Sequence, residues 1–348
     1  MSRRPRRQAR RRAAARRRRR FPVRPLLLGG GALVAAFVIL LAFEIWGPGP
    51  SAAPTSLTLP PGGGVRGVAR DLARARVVRS PSVFILVAEI SGEAHALKAG
   101  EYVFAPRESL ARVLDAIRRG LIVRHYVTIP EGLSSVQVAE VLAADPVLSG
   151  PTPVPPEGSI LPETYQVRRG DSRAAVEARM ERARDALLAR LWASRAPGLP
   201  YRDPEQAVIL ASVVEKETAL PAERPLVAAV FLNRLRQGMR LGSDPTVIYG
   251  LTRGRPLGHG LTVSELESDT RWNTYRVEGL PPTPIGNPGR ASIEAALAPA
   301  RTDDLYFVAN GTGGHAFSAT LEEHQRNVAR WRAIEKANQA ASASRGTG

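Results

Sequence analysis

Eighteen consecutive residues, Leu26 to Phe43 ("LLLGGGALVAAFVILLAF"), carry no charge. About twenty apolar residues in a helix suffice to cross the hydrocarbon core of a bilayer. The run therefore predicts a transmembrane helix over residues 25–46, with Trp46 at the membrane interface. The rival is a cleaved secretory signal, which needs a shorter apolar core and a small-x-small site. Ser51-Ala52-Ala53 matches such a site only weakly, and the uncleaved anchor is the expectation. Residues 1–24 in front of it hold thirteen arginines and no acid. Cytoplasmic loops are the basic ones, so the tail is expected inside and residues 47–348 outside, as in a single-pass protein of the cell (inner) membrane. Removing those thirteen charges from the formal +17 leaves +4 for the remainder. The body is only mildly basic. The tail reads as a topology signal and a contact for anionic lipid, and no nucleic-acid partner is expected. Cysteine is absent, which excludes a disulfide framework and a thiolate metal site.

Beyond the anchor the pattern is α+β. Residues 47–64, rich in Pro, Gly and Ser, read as a linker. Residues 65–145 read as a small α+β unit. Helices are expected at Val65–Leu72, Ser80–Ile90 and Ser109–Arg119, the last ended by Gly120, with one more after Ser135. Strands are expected at Glu101–Phe104 and Leu121–Ile129. The segments "LKAGEYVF", "SLARVLDAIRRG" and "VTIPEGLSSVQVAEVLA" resemble the strand-and-helix pattern of LysM-type wall-binding modules. A generic α+β unit without a ligand fits the composition equally. Residues 146–200 form a connecting segment with a long charged helix at 173–192. "LPETY" at 161–165 lacks the glycine and the following membrane segment of a sortase signal.

Residues 201–338 hold the densest chemistry. Asp203-Pro204-Glu205-Gln206 is a strong helix start, with a capping acid, proline at the first helical position and a capping-box-like glutamine. The helix is expected to reach Ala219, because Leu220 precedes Pro221. At 100° per residue, Ile209, Leu210, Val213, Val214 and Leu220 share one side. Glu217 falls near the middle of that arc. Glu215 falls roughly opposite, with Val208, Ala211 and Ser212, and reads as an ion-pair or structural partner. An acid aimed at an apolar side, in a last turn where the macrodipole disfavours negative charge, has its pKa raised. Near neutral pH it can then donate a proton. Two other fates stay open: snorkelling from a frayed end, or pairing with Arg224 or Arg234.

A second helix is expected over Pro225–Gln237. Another starts at Asp244-Pro245, with Asp244 as its cap. A Pro/Gly loop spans Glu278–Gly289 and leads into a helix from Ala291. A buried strand at Leu305–Ala309, a turn at Asn310–Gly314 and a returning strand at His315–Phe317 follow. Thr320-Leu321-Glu322-Glu323 then starts a final helix, and 339–348 read as a disordered tail. Five scattered histidines and a glycine turn inside a hairpin give no metal site and no phosphate loop, so no metal or cofactor is expected.

The stretches "ASVVEKETALPAERPLVAAVFLNRLRQGMRLGSDPTVIYG", "WNTYRVEGLPPTPIGNPGRASIEAALAPA" and "LYFVANGTGGHAFSATLEEH", in this order, resemble the MltG (YceG-like) endolytic murein transglycosylases over roughly residues 60–335. The resemblance implies a YceG-like mixed α/β catalytic domain behind the anchor and the LysM-like subdomain. It implies cleavage of MurNAc–GlcNAc β-1,4 bonds in nascent peptidoglycan strands to 1,6-anhydro-MurNAc ends, as a terminase of glycan polymerisation in cell wall biogenesis. Glu217 maps onto the family's catalytic acid. Asn233, Asp244, Tyr249, Asn273, Tyr275 and His315 map onto positions expected to line the glycan groove, with Lys216 and Arg234 as further contacts for acidic lactyl or peptide groups. Peptidoglycan synthases (penicillin-binding proteins) are the partners it implies. The competing reading is a non-catalytic, membrane-anchored peptidoglycan-binding scaffold.

Overall fold

The structure is a computed structural model that describes residues 23–345. Residues 1–22 of the arginine tail lie outside these residues, as does the end of the C-terminal tail. The chain divides into two compact units, one up to Val123 and one from Arg124 onward.

The first unit begins with α1 (Val23–Trp46). Leu33, Val34, Phe37, Val38, Ile39 and Leu40 on this helix are exposed. Among the described residues no helix is long and apolar enough to cross a membrane. The stretch read as a linker supplies β1 (Thr55–Leu59), which runs antiparallel to β2 (Gly100–Phe104), with Thr55 opposite Phe104. Its alternating "TSLTL" was masked by the Pro and Gly on both sides. Between the two strands come α2 (Gly64–Arg74) and α3 (Pro81–Ile90). The Ser80 hydroxyl caps α3 by accepting the Val83 amide. After β2 comes α4 (Leu110–Arg119), ended as expected by Gly120 in the left-handed region (φ 71°). Leu59, Leu72, Phe84, Tyr102, Phe104 and Ile117 form the core, with the Tyr102 and Phe104 rings stacked 5.8 Å apart.

The second unit takes in more than the sequence assigned to it. The strand expected over 121–129 is regular only at β3 (His125–Thr128), which pairs antiparallel with β4 (Thr164–Val167). This pair and α5 (Ser135–Ala144) pack on α6 (Arg173–Ala193) through Val127, Val138, Leu142, Val167, Val176 and Met180. The stretch 124–145 therefore belongs with the second unit. A larger core joins α6 to α7 (Pro204–Glu217), α8 (Arg224–Arg236), α9 (Asp244–Thr252) and α11 (Arg290–Leu297). A short α10 (Val263–Leu266), closed by a Thr262/Glu265 capping box, intervenes. The hairpin β5 (Tyr306–Ala309) and β6 (His315–Ser318) and the long α12 (Leu321–Arg345) complete the chain. Strand β5, expected to be buried, is half-buried along its length. The class is mixed α+β. Among the described residues the strands form three antiparallel pairs.

Candidate active site

Helix α7 is the floor of the site. The Asp203 carboxylate accepts the Gln206 amide at 3.0 Å, as a cap should, but the Gln206 side chain accepts from Arg202 N–H instead of closing the box on Asp203. The helix stops at Glu217, short of the expected Ala219. Thr218 is extended (φ −138°, ψ 130°), and its hydroxyl accepts the Leu220 amide at 3.1 Å.

The three residues 215–217 enter three surroundings. Glu215 does not face water. Its side chain is 6% exposed and accepts from Arg224 Nη2 and from the Gly289 amide, both at 2.9 Å. It is the ion-pair partner the sequence suggests, on a side where Val208, Ala211 and Ser212 are all buried. The Ser212 hydroxyl accepts the Ile285 amide at 3.0 Å. Lys216 is the exposed member. Glu217 turns to the start of α9, where Ser243 Oγ donates to its Oε1. Burial pushes its pKa from 4.5 up to about 7. The nearby Asp244 charge adds to the rise, while the Ser243 hydrogen bond and the His315 and Arg234 charges oppose it.

Ser243 is held for this contact from both sides. Its N–H donates to Thr274 Oγ1 at 3.0 Å, and its carbonyl accepts from Thr246 Oγ1 at 2.6 Å. Ser243, not Asp244, holds the N-cap position of α9, and its hydroxyl is committed to Glu217 instead of capping. Asp244 is the first residue of the helix and accepts from the Tyr275 hydroxyl at 2.7 Å. Burial first, and then the Asp244 carboxylate, lift the Tyr275 phenol above its ordinary range. Gly242 just ahead has φ 60°, and a Cβ there would touch both the Tyr275 ring and Arg234 at 3.5 Å. Glycine is favoured there by the left-handed backbone, since those contacts are of ordinary van der Waals length.

Strand β6 supplies His315. Its Nδ1 pairs with Glu223 Oε2 at 2.7 Å, and its backbone N–H donates to Glu223 Oε1 at 2.8 Å. Thr218 Oγ1 donates to the same carboxylate at 3.0 Å. Burial pushes Glu223 up, but these hydrogen bonds outweigh it and hold the acid below its usual value. Arg234, on α8, donates to the Leu305 and Leu241 carbonyls at 2.6 Å each and lies over the Tyr306 ring.

Asp244, Tyr275 and His315 are thus gathered around Glu217, and three other expected groove residues are not. Asn233 donates to the Thr302 and Asp304 carbonyls at 2.8 and 3.0 Å, pinning the loop ahead of β5. Asn273 is buried and donates to the Leu266 and Ser268 carbonyls at 2.8 Å each. Tyr249 is buried and donates to Glu157 Oε2 at 2.9 Å. These side chains are consumed by the fold because buried backbone carbonyls and carboxylates need partners. Sequence reading passed over Ser243 and Glu223. A serine immediately before Asp-Pro was the available signal for the first; the partners of Glu223 lie too far along the chain to give one. Among the described residues no group of three His, Cys, Asp or Glu side chains could hold a metal ion.

The YceG-like family model matches residues 57–330. An endolytic murein transglycosylase of Bacillus subtilis (strain 168) is 27% identical over 311 residues, covering 78% of this chain and 83% of that protein. The enzyme of the same name from Streptococcus pneumoniae (strain D39) is 27% identical over 321 residues, and the match covers 57% of its length. A crystal structure of a putative yceG-like protein from Listeria monocytogenes, 28% identical, aligns with 79% of this chain and 99% of its own at a TM-score of 0.48. With a family match that runs through most of both compact units, the chain belongs to the YceG-like family.

Proposed function

We propose that this protein is an endolytic murein transglycosylase, a lyase that cuts peptidoglycan strands internally, with Glu217 as its acid. The observation that carries the reading is a buried carboxyl, lifted to about 7, with a hydroxyl donor fixed on one oxygen. Such a group is substantially protonated at neutral pH and able to give its proton up. The relatives' names supply the substrate class.

Glu217 delivers its proton to the bridging oxygen as the C1–O bond of the MurNAc residue breaks. The carboxylate then takes the proton of that sugar's C6 hydroxyl while the C6 oxygen closes on C1. The acid is regenerated, the new end is 1,6-anhydro, and no water is consumed. Most glycosidases need a second carboxylate as nucleophile or water-activating base; an internal nucleophile removes the need. Asp244, held by Tyr275, contributes negative charge beside an oxocarbenium-like centre. His315, tied to Glu223, favours the negative charge left on Glu217 once its proton is given up.

The anchor belongs to the same reading. The apolar run and the arginine tail support a single pass with the N-terminus cytoplasmic, the catalytic unit outside, and peptidoglycan synthases as neighbours. The strand–helix–helix–strand order of the first unit, with its strands antiparallel, supports a LysM-like module that holds glycan. Ending glycan polymerisation is the role that fits an enzyme so placed.

The test is the chemistry of the ends. Full-length protein in detergent and its Glu217→Gln variant are incubated with uncrosslinked strands, and the products are read by mass spectrometry. Anhydro ends from the native protein alone are expected. Reducing ends would mark a hydrolase, and binding without turnover would mark a scaffold. Equal turnover by the variant would remove Glu217 from the reaction.

A further inference from the structure

The end of α1 is built into the first unit. Gly47 N–H donates to the Phe43 carbonyl at 2.9 Å and closes the helix. The chain after it, read as a linker, is strapped to the turn ahead of α4. Gly49 N–H donates to the Arg107 carbonyl at 3.0 Å, and Arg107 N–H donates to the Ser51 carbonyl at 2.8 Å. A Cβ at Gly49 would lie 2.2 Å from the Glu108 carbonyl oxygen, so glycine is what lets the strap come this close. Arg79 lies over the Phe43 ring, 5.2 Å from its centroid. Whatever this corner encloses therefore keeps a fixed place relative to the end of α1.

It encloses a cavity of about 430 Å³. Trp46 and Pro48, from the end of α1, line it together with Pro106, Arg107, Glu108 and Arg112, from around the start of α4. Both arginines are exposed, and neither side chain enters a hydrogen bond or ion pair among the described residues. Glu108 is the one acid in the wall, and its Oε2 accepts the Ala105 amide at 2.8 Å. Glu44, two positions before Trp46, is not part of the wall. Two guanidinium groups thus stand against one carboxylate that already binds backbone, which leaves the wall positive. Arg107 also holds φ 56°. Glycine takes that left-handed backbone without steric cost, so the turn itself does not call for an arginine. Guanidinium groups bind phosphate through paired N–H donors. Trp46 ends the apolar helix, and tryptophan collects where such a helix meets the headgroups of a bilayer. Leu40 and Phe43, exposed on the same helix, offer apolar surface leading away from the cavity.

We propose that this cavity binds the headgroup phosphate of an anionic phospholipid, in the leaflet at which α1 ends, with Arg107 and Arg112 on the phosphate and the acyl chains beside Leu40 and Phe43. The proposal rests on the reading of α1 as a membrane anchor. The site is separate from the arginine tail, which precedes α1 and meets the opposite leaflet in that reading. An occupied cavity holds the first unit at one height over the bilayer, because the strap joins it to the helix end without slack.

The experiment places a photocrosslinker, p-benzoylphenylalanine, at Ala105, an exposed residue of the same wall. Full-length protein is reconstituted in vesicles of phosphatidylcholine and phosphatidylglycerol, illuminated, and its lipid adducts are identified by mass spectrometry. The readout is the ratio of phosphatidylglycerol to phosphatidylcholine adducts, divided by their ratio in the bilayer. With both arginines present this enrichment should be roughly tenfold, and Arg107→Gln or Arg112→Gln should each lower it about three- to fivefold, the weight of one basic residue at an anionic surface. Both side chains are exposed, so thermal unfolding should not change. Glycerol phosphate in excess should leave the enrichment intact; if it abolishes the adduct, the cavity takes a free phosphate and the lipid assignment falls. No lipid adduct, an enrichment of one, or an enrichment that both variants retain overturns the site, provided the protein stays with the vesicles through an alkaline carbonate wash. Protein released by that wash would overturn the anchor and the site together.

Discussion

Replacing Glu217 by glutamine should stabilise the protein at neutral and alkaline pH and not in acid. The carboxyl titrates at about 7 in the fold against 4.5 in a free chain. A group whose folded pKa is raised contributes stability that is complete below the unfolded value and is lost as pH rises through the folded one. Each pKa unit is worth about 1.36 kcal/mol, so the native protein gives up on the order of 3 kcal/mol between pH 4.5 and pH 7 through this side chain. Glutamine has the same shape, can still accept from Ser243 Oγ, and does not titrate. Its own burial changes stability equally at every pH, so the informative quantity is how the gap between the two proteins changes with pH. For a unit of this size about 3 kcal/mol corresponds to roughly 6–12 °C in Tm. Thermal unfolding from pH 4.5 to pH 8.5 is the assay. The variant should gain on the native protein by that amount as pH rises. A gap that stays constant, or that widens towards acid, would refute a raised pKa at Glu217 and the acid role built on it.

Three further outcomes follow from the geometry. Ser243→Ala removes the donor that favours the Glu217 carboxylate. A hydrogen bond to a charged group is worth about 1.5–3 kcal/mol, so the alkaline limb of the kcat–pH profile should move up by roughly one to two pH units; a downward move would contradict the assignment. Arg224→Met leaves Glu215 buried with the Gly289 amide but without its cation, which should cost about 3–5 kcal/mol in denaturant unfolding; a loss below about 1 kcal/mol would show that the amide alone suffices. Gly286→Ala places a Cβ 2.9 Å from the Gly132 carbonyl. The two loops, joined by hydrogen bonds between Gly132 N–H and Asn287 O and between Asn287 N–H and Leu133 O, must part, for a loss of about 1–3 kcal/mol. Unchanged unfolding of this variant would show that the loops give freely.

Helix starts, stops and the inward phase of Glu217 were legible because they are local. Asp203 caps α7, Gly120 closes α4, and the 100° rotation singled out Glu217. The same rotation set Glu215 on the opposite side as an ion-pair partner, and Arg224 meets it there; that this side is also buried was not legible, because a wheel assumes one apolar face and one wet one. Helix α7 is packed against α6, α8, α9 and α11 and is buried nearly all round. Asn233, Asn273 and Tyr249 looked free to meet sugar hydroxyls. Their partners are backbone carbonyls or a carboxylate brought to them by the fold, Thr302 in one case and Glu157 in another. Asp244 looked like a cap because Asp-Pro often begins a helix; the cap position fell one residue earlier, on Ser243. Strand β1 was missed because proline and glycine dominate its surroundings.

The division of Glu215, Lys216 and Glu217 among a buried cation, solvent and a hydroxyl fixes the rotational phase of α7. One residue added or removed upstream within the helix would turn the triplet by about 100°. A removed residue would drive Lys216 towards Arg224, setting two cations in one buried slot, and an added one would set Val214 there and Lys216 against Ser243; in both cases Glu217 swings away from Ser243. Two whole turns, roughly seven residues, are needed before the phase returns. Length changes in this region are therefore tolerated in the loops on either side and not in the helix. Lengthening α7 gradually offers no path from this enzyme to a different one.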